Sequence, residues 1–220
     1  MRGDARRQAL PRFRVRFARK TRTLSDVRIP VALAALLGLS CRAADPPRPC
    51  PARFALDPPR AAALADRLAT VPEGASVLTR AQGAAMPRIC FGPAIVSSIT
   101  TDGAVLLDGD LGEPEAAARL GHLLAHVVEG LPMARPGAGD CEAQVEDALR
   151  KEARALALEL RLRHALGVTE RRIPYAFEDD VQRAPPEARE RLVLDYLRAH
   201  PDGAPGLDGL ASGYARRCRR

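Results

Sequence analysis

The chain has 220 residues, 34 of them Lys or Arg and 27 Asp or Glu, for a formal net charge of +7. A hydrophobic fraction of 46% with 28% charged residues excludes wholesale disorder and suits one folded domain with appendages. Aromatic residues make up only 4% and Trp is absent, which excludes base-stacking platforms for single-stranded nucleic acid. The basic excess is confined to residues 1–41, which hold nine Arg and Lys20 against Asp4 and Asp26; the rest of the chain carries 24 basic and 25 acidic side chains. A nucleic-acid-binding face needs its charge on the folded body, so no nucleic-acid partner is expected.

In chain order, the Arg-rich stretch ending at Arg28 is followed by an apolar run over 31–40 and then by Cys41. A positive stretch, a short apolar core and small residues before a processing site describe an export signal. Ten apolar residues are too few to span a hydrocarbon core of about 30 Å. The ending Leu37-Gly38-Leu39-Ser40-Cys41 resembles a bacterial lipoprotein processing site, with Gly38 departing from the Leu usual at that place. The resemblance implies removal of residues 1–40, lipidation of Cys41 and membrane contact through the lipid anchor. Arg42, in place of an acidic residue, implies the outer membrane, on its periplasmic side or at the cell surface.

Four cysteines remain: Cys50, Cys90, Cys141 and Cys218. An even number in an exported protein suggests two disulfides with three possible connectivities. Cys50–Cys90 with Cys141–Cys218 is favoured, because Cys141 opens a long predicted helix and Cys218 follows a segment expected to return to that end.

Residues 41–59 hold six prolines and read as an extended tether. A single domain over 60–220 is expected to follow. Its Ala/Leu-rich stretch 60–70 predicts a helix with Pro59 at its start, and 72–82 a second, shorter one. Over about 88–108 the texture becomes β-branched, with Asp102-Gly103 supplying a turn, which predicts a hairpin in a small antiparallel sheet. Helices are predicted over 113–129, between Pro114 and Gly130, over 140–164, with Asp140 as N-cap and Gly167 beyond the end, and over 186–200. The fold class is therefore α+β, a small sheet packed against several helices.

His122 and His126 are four residues apart in the 113–129 helix, so they project from one face within reach of a single metal ion. Glu115, Arg119 and Glu129 share that face, which leaves open that it simply meets solvent. In the next helix, Glu152 falls in the middle of the apolar stripe Val145, Ala148, Leu149, Leu156. A carboxylate there is costly unless paired or bound to a metal; the two histidines are the expected neighbours and Arg119 the alternative. Glu159 also lies near the stripe, with Arg163 four residues on as its expected partner. Asp108, Asp110, Glu113 and Glu115 form an acidic group before the histidine helix that reads as a complement to the helix dipole.

A small sheet, a helix carrying two histidines at i and i+4, and a later helix opening an Ala-rich run with Glu152 resemble a minimal gluzincin-type zinc metallopeptidase. The resemblance covers about residues 88–165. It implies a zincin-like fold, zinc as cofactor, and ligand roles for His122, His126 and Glu152. The family motif is His-Glu-x-x-His, whose Glu is the general base, and Leu123 stands in its place here. The resemblance therefore implies a degenerate, catalytically inactive domain with a binding or structural role in the cell envelope. An active zinc hydrolase with a different base and a metal-free, disulfide-stapled protein are the alternatives. No particular protein partner is implied.

Overall fold

The computed structural model describes residues 49–94, 97–205 and 207–219. The expected leader over 1–40, the expected lipidation site Cys41 and most of the Pro-rich segment lie outside the described residues. The end of that segment is fastened to the body. Cys50 is bonded to Cys90, Ala55–Leu56 forms strand β1, and the Asp57 side chain accepts from the Arg60 N–H at 3.0 Å, capping the first helix.

Helices α1 (Pro58–Ala69) and α2 (Pro72–Gly83) each begin with Pro, whose fixed φ and missing N–H suit the first turn. Strands β2 (Ile89–Gly92), β3 (Ser98–Ile99) and β4 (Val105–Asp108) follow, and with β1 they form a sheet of order β1-β2-β4-β3. The expected hairpin is present. β3 and β4 are antiparallel about a turn in which the Gly103 N–H bonds Thr100 O at 2.9 Å and Gly103 has φ +84°. The expectation of a wholly antiparallel sheet is corrected, because β2 pairs with β4 in parallel, Ile89 opposite Val105 through Gly92 opposite Asp108. The hairpin folds back so that its second strand, not its first, meets β2. β4, apart from half-buried Leu106, is buried, as a central strand should be.

Helix α3 (Glu113–Glu129) crosses the body and α4 (Cys141–Ala165) packs along it. Two hydrophobic cores meet at α4. Ala155, Leu158 and Leu162 join α1, α2, α3 and the sheet; Ala148, Leu149, Leu156 and Leu160 join Tyr175, Phe177, Val193, Leu197 and Tyr214 on the other side. The second core is closed by α5 (Glu178–Arg183), a 3-10 turn (Pro186–Ala188), α6 (Arg189–Ala199), the hairpin β5 (Gly203–Ala204) and β6 (Leu207–Asp208), and α7 (Leu210–Cys218). Sequence patterning missed α5 and this hairpin. α5 has one apolar residue in six, and two-residue strands carry no period.

Cys218 at the end of α7 is bonded to Cys141 at the start of α4, across 77 residues. By loop-closure entropy a bridge of that span, or of the 40 residues between Cys50 and Cys90, stabilises by about 4 kcal/mol. Two disulfides fit an oxidising compartment outside the cytoplasm. No helix among the described residues is long and apolar enough to cross a membrane.

Gly121 sets the distance between α3 and α4. A Cβ there would lie 2.4 Å from Leu162 Cδ1 and 3.3 Å from Leu68 Cδ1, both in fully buried side chains. Gly121→Ala gains helix propensity but overpacks this contact. We expect a net loss of about 1–2 kcal/mol, read as a lower urea midpoint with unchanged slope.

Candidate metal centre

α3 is buried almost all round. One side carries Ala117, Leu120 and Leu124 toward the sheet, α1 and α2, and the side with Glu115, Arg119 and the histidines faces α4 rather than solvent. His122 and His126 are 3% and 5% exposed. On α4, Glu152 and Glu159 lie seven residues apart, two turns on one face, and both point at the histidines. The two Nε2 atoms of His122 and His126 are 3.0 Å apart, and Glu152 Oε2 lies 3.6 Å and 3.3 Å from them. His122, His126 and Glu152 thus form one buried group that could hold a metal ion. Tyr214 of α7 donates to the other carboxylate oxygen, Oε1, at 2.6 Å and fixes its orientation.

Behind the group lies a buried charge network. His122 Nδ1 is 3.0 Å from Glu159 Oε2, though not in line for a good hydrogen bond. Glu159 also accepts from Arg119 Nη1 and from the Tyr175 hydroxyl, both at 3.0 Å. Arg119 does not pair with Glu152; its second nitrogen donates to Ser97 O at 3.1 Å. The expected Glu159–Arg163 pair is present at 3.6 Å, and Arg163 also reaches Glu115 at 3.3 Å and Glu178 at 3.4 Å.

The acidic group before α3 is used up in the same way. Glu115 accepts from the backbone N–H of Arg172 and Ile173, while Asp108 and Asp110 pair with the Arg172 side chain at 3.0 and 3.2 Å. Glu113 stands apart, 4.0 Å from Arg67.

Burial opposes charge on both inward carboxylates, yet their partners outweigh it. Hydrogen bonds and charge from His122 and His126 hold Glu152 well below the usual carboxylate range, and Arg119 first and His122 next do the same for Glu159. Burial lowers the pKa of His126 and favours its neutral form, the form that ligates metal. Burial, with the neighbouring Glu152, pushes the Tyr214 hydroxyl up, so it stays a donor.

Two imidazole nitrogens and one carboxylate oxygen suit zinc rather than magnesium or calcium, which prefer oxygen throughout. In a tetrahedral zinc site with bonds of about 2.0–2.1 Å, neighbouring ligand atoms stand roughly 3.3–3.4 Å apart. The observed separations of 3.0, 3.3 and 3.6 Å bracket that value, so the residues fit the ion. The three side chains form part of the wall of a cavity of about 930 Å³, which leaves one side of the group open to a further ligand.

Leu123 lines the same cavity, and its side chain can take no proton. Among the described residues, Asp208 is the only other carboxylate in the wall besides Glu152. Sequence reading missed Tyr214, Tyr175 and the link from Glu159 to His122. The first two are single residues in segments without periodicity, and a disulfide and a loop bring them to the site. The link was in reach, since Glu159 stands seven residues from Glu152 on the same face.

No protein-family model, curated protein or solved structure matches the chain.

Proposed function

We propose that this is an exported envelope lipoprotein whose body holds one zinc ion through His122, His126 and Glu152 and uses the adjoining cavity to bind a ligand without hydrolysing it. The convergence of the two Nε2 atoms and Glu152 Oε2 at the wall of that cavity carries the reading. Zinc bound there would supply a Lewis-acid position open to a donor atom. Tyr214 holds the carboxylate in place, Glu159 sets a negative charge 3.0 Å from the Nδ1 of His122, and the α3–α4 contact excludes water from the far side. Leu123 cannot act as a base where a zinc peptidase of the resembled type has Glu, and loss of a general base removes about 10²–10⁴-fold in rate.

The test is a chelator-controlled peptidase assay on zinc-loaded wild type and Leu123→Glu. The expected outcome is no turnover by wild type and measurable turnover by the variant. Chelator-sensitive turnover by wild type would support an active hydrolase with another base, and its loss in Asp208→Asn would name that base. A metal-free protein is the second reading, favoured by the fact that the two histidines can hydrogen-bond to each other and that Glu152 already accepts from Tyr214.

Export and anchoring rest on the order of the leader and on the two disulfides. Radiolabelled palmitate should enter the wild-type protein and not Cys41→Ser; equal labelling of both would remove the anchor from the proposal.

A further inference from the structure

We infer that the cavity beside the metal group takes an amphiphilic anion of small-molecule size, its acidic head held by Arg135 and Arg217 and its apolar body laid against Leu131, Met133, Leu207 and Leu210. The inference rests on the metal-centre reading for part of the positive field in the cavity, and on side chains outside that centre for the rest.

Four arginines line the cavity: Arg119, Arg135, Arg172 and Arg217. Two are already neutralised, Arg119 by Glu159 and Arg172 by Asp108 and Asp110. Arg135 and Arg217 form no ion pair among the described residues. Arg135 donates to Met133 Sδ at 3.3 Å, and Arg217 lies over the Tyr214 ring, 4.6 Å from its centroid. They belong to one rim: Cys218, the residue after Arg217, has its Sγ 4.0 Å from Arg135 O, and its bond to Cys141 ties this rim to α4.

Against these charges stand Asp208 and Glu152, the latter held by Tyr214 and the histidines. With zinc bound, the wall carries a net positive charge, and a cavity of one sign concentrates ligands of the other. Guanidinium groups suit carboxylate and phosphate oxygens in particular, because both can be met by paired N–H donors.

Beyond Ser97, Ser98, Thr101 and the two tyrosines, the rest of the wall outside the metal group is apolar. Met133 is 40% exposed at the mouth, beside half-exposed Leu131 and Pro132, while Leu207 and Leu210 come from the hairpin and α7. An apolar lining with a few convergent charges, in a volume of about 930 Å³, falls within the range of about 300–1,000 Å³ usual for small-molecule sites.

The probes are four eight-carbon amphiphiles, octanoate, octyl phosphate, octyltrimethylammonium and octyl glucoside, titrated calorimetrically into the zinc-loaded, full-length protein, with zinc measured on the same samples. Octanoate and octyl phosphate should both bind, the cation should not, and the neutral glucoside should bind at least about tenfold more weakly than either anion. Arg135→Gln/Arg217→Gln should weaken the anions by about tenfold or more while leaving zinc content and melting temperature unchanged. If only one of the two anions binds, it identifies the head group, carboxylate or phosphate.

Equal affinity for all four head groups, no effect of the double substitution, or no binding by a protein that retains its zinc would each overturn the inference alone. Absence of zinc would instead overturn the metal-centre reading, and the arginine dependence of octanoate binding would still decide the anion site. The two arginines are exposed, so the double variant should fold; Arg135→Lys/Arg217→Lys, which keeps the charge, should recover part of the affinity.

Discussion

Replacement of His126 by alanine is expected to lower zinc affinity on the order of a thousandfold. Zinc bound by a full protein ligand set contributes roughly 10–16 kcal/mol at neutral pH, so one ligand accounts for about 3–4 kcal/mol. His126 has no substitute nearby. Among the described residues, the acceptors and donors at the site are His122 and Glu152, and Tyr214 already donates to Glu152. Competition with a chelator of known affinity reads the change. The fold should tolerate the substitution, because the imidazole lines the cavity wall and its removal enlarges an existing space. A zinc affinity within threefold of wild type would show that His126 is not a ligand.

The largest stability effect is expected at Glu159. It is 1% exposed, and its two oxygens serve His122, Arg119, Arg163 and Tyr175. Arg163 keeps Glu115 and Glu178 when Glu159 is lost, but Arg119 has no other carboxylate within ion-pair distance among the described residues. Glu159→Leu therefore leaves a buried guanidinium uncompensated, and breaking a buried pair in this way costs about 3–5 kcal/mol. That is a large part of the roughly 5–15 kcal/mol typical of a domain.

Urea unfolding with the disulfides intact measures the loss. The double variant Arg119→Met/Glu159→Leu should be more stable than Glu159→Leu alone, because the unpaired charge goes too. If the double variant loses the sum of the two single losses, the pair is not coupled. Glu159→Gln should in addition weaken zinc binding about 10–100-fold, because it removes the negative charge 3.0 Å from His122 Nδ1 that raises the basicity of this ligand.

The parts of this molecule legible in the sequence were those written in local periods. Four-residue spacing put His122 and His126 on one face, and the cost of a carboxylate among Val145, Ala148, Leu149 and Leu156 pointed Glu152 at a partner. The helix ends at Pro114, Gly130 and Asp140 lie where caps and breakers put them.

What could not be read depended on the return of the chain. Glu115 and Arg119 made the histidine face look wet, yet both are buried, because Glu159, Arg163 and the backbone of 172–173 supply their partners from far along the chain. The parallel pairing of β2 with β4 is set by how the hairpin docks, and no residue of either strand announces it. Tyr214 reaches Glu152 because the Cys141–Cys218 bond and α7 carry it there.

The most direct test is zinc K-edge X-ray absorption with elemental analysis on protein purified without added chelator. A centre made by His122, His126 and Glu152 predicts one zinc per chain, a first shell of nitrogen and oxygen at about 2.0–2.1 Å with the signature of two imidazoles and no sulfur, and loss of that signature in His126→Ala. Less than one zinc in ten chains after dialysis against zinc, or a shell containing sulfur, would contradict it.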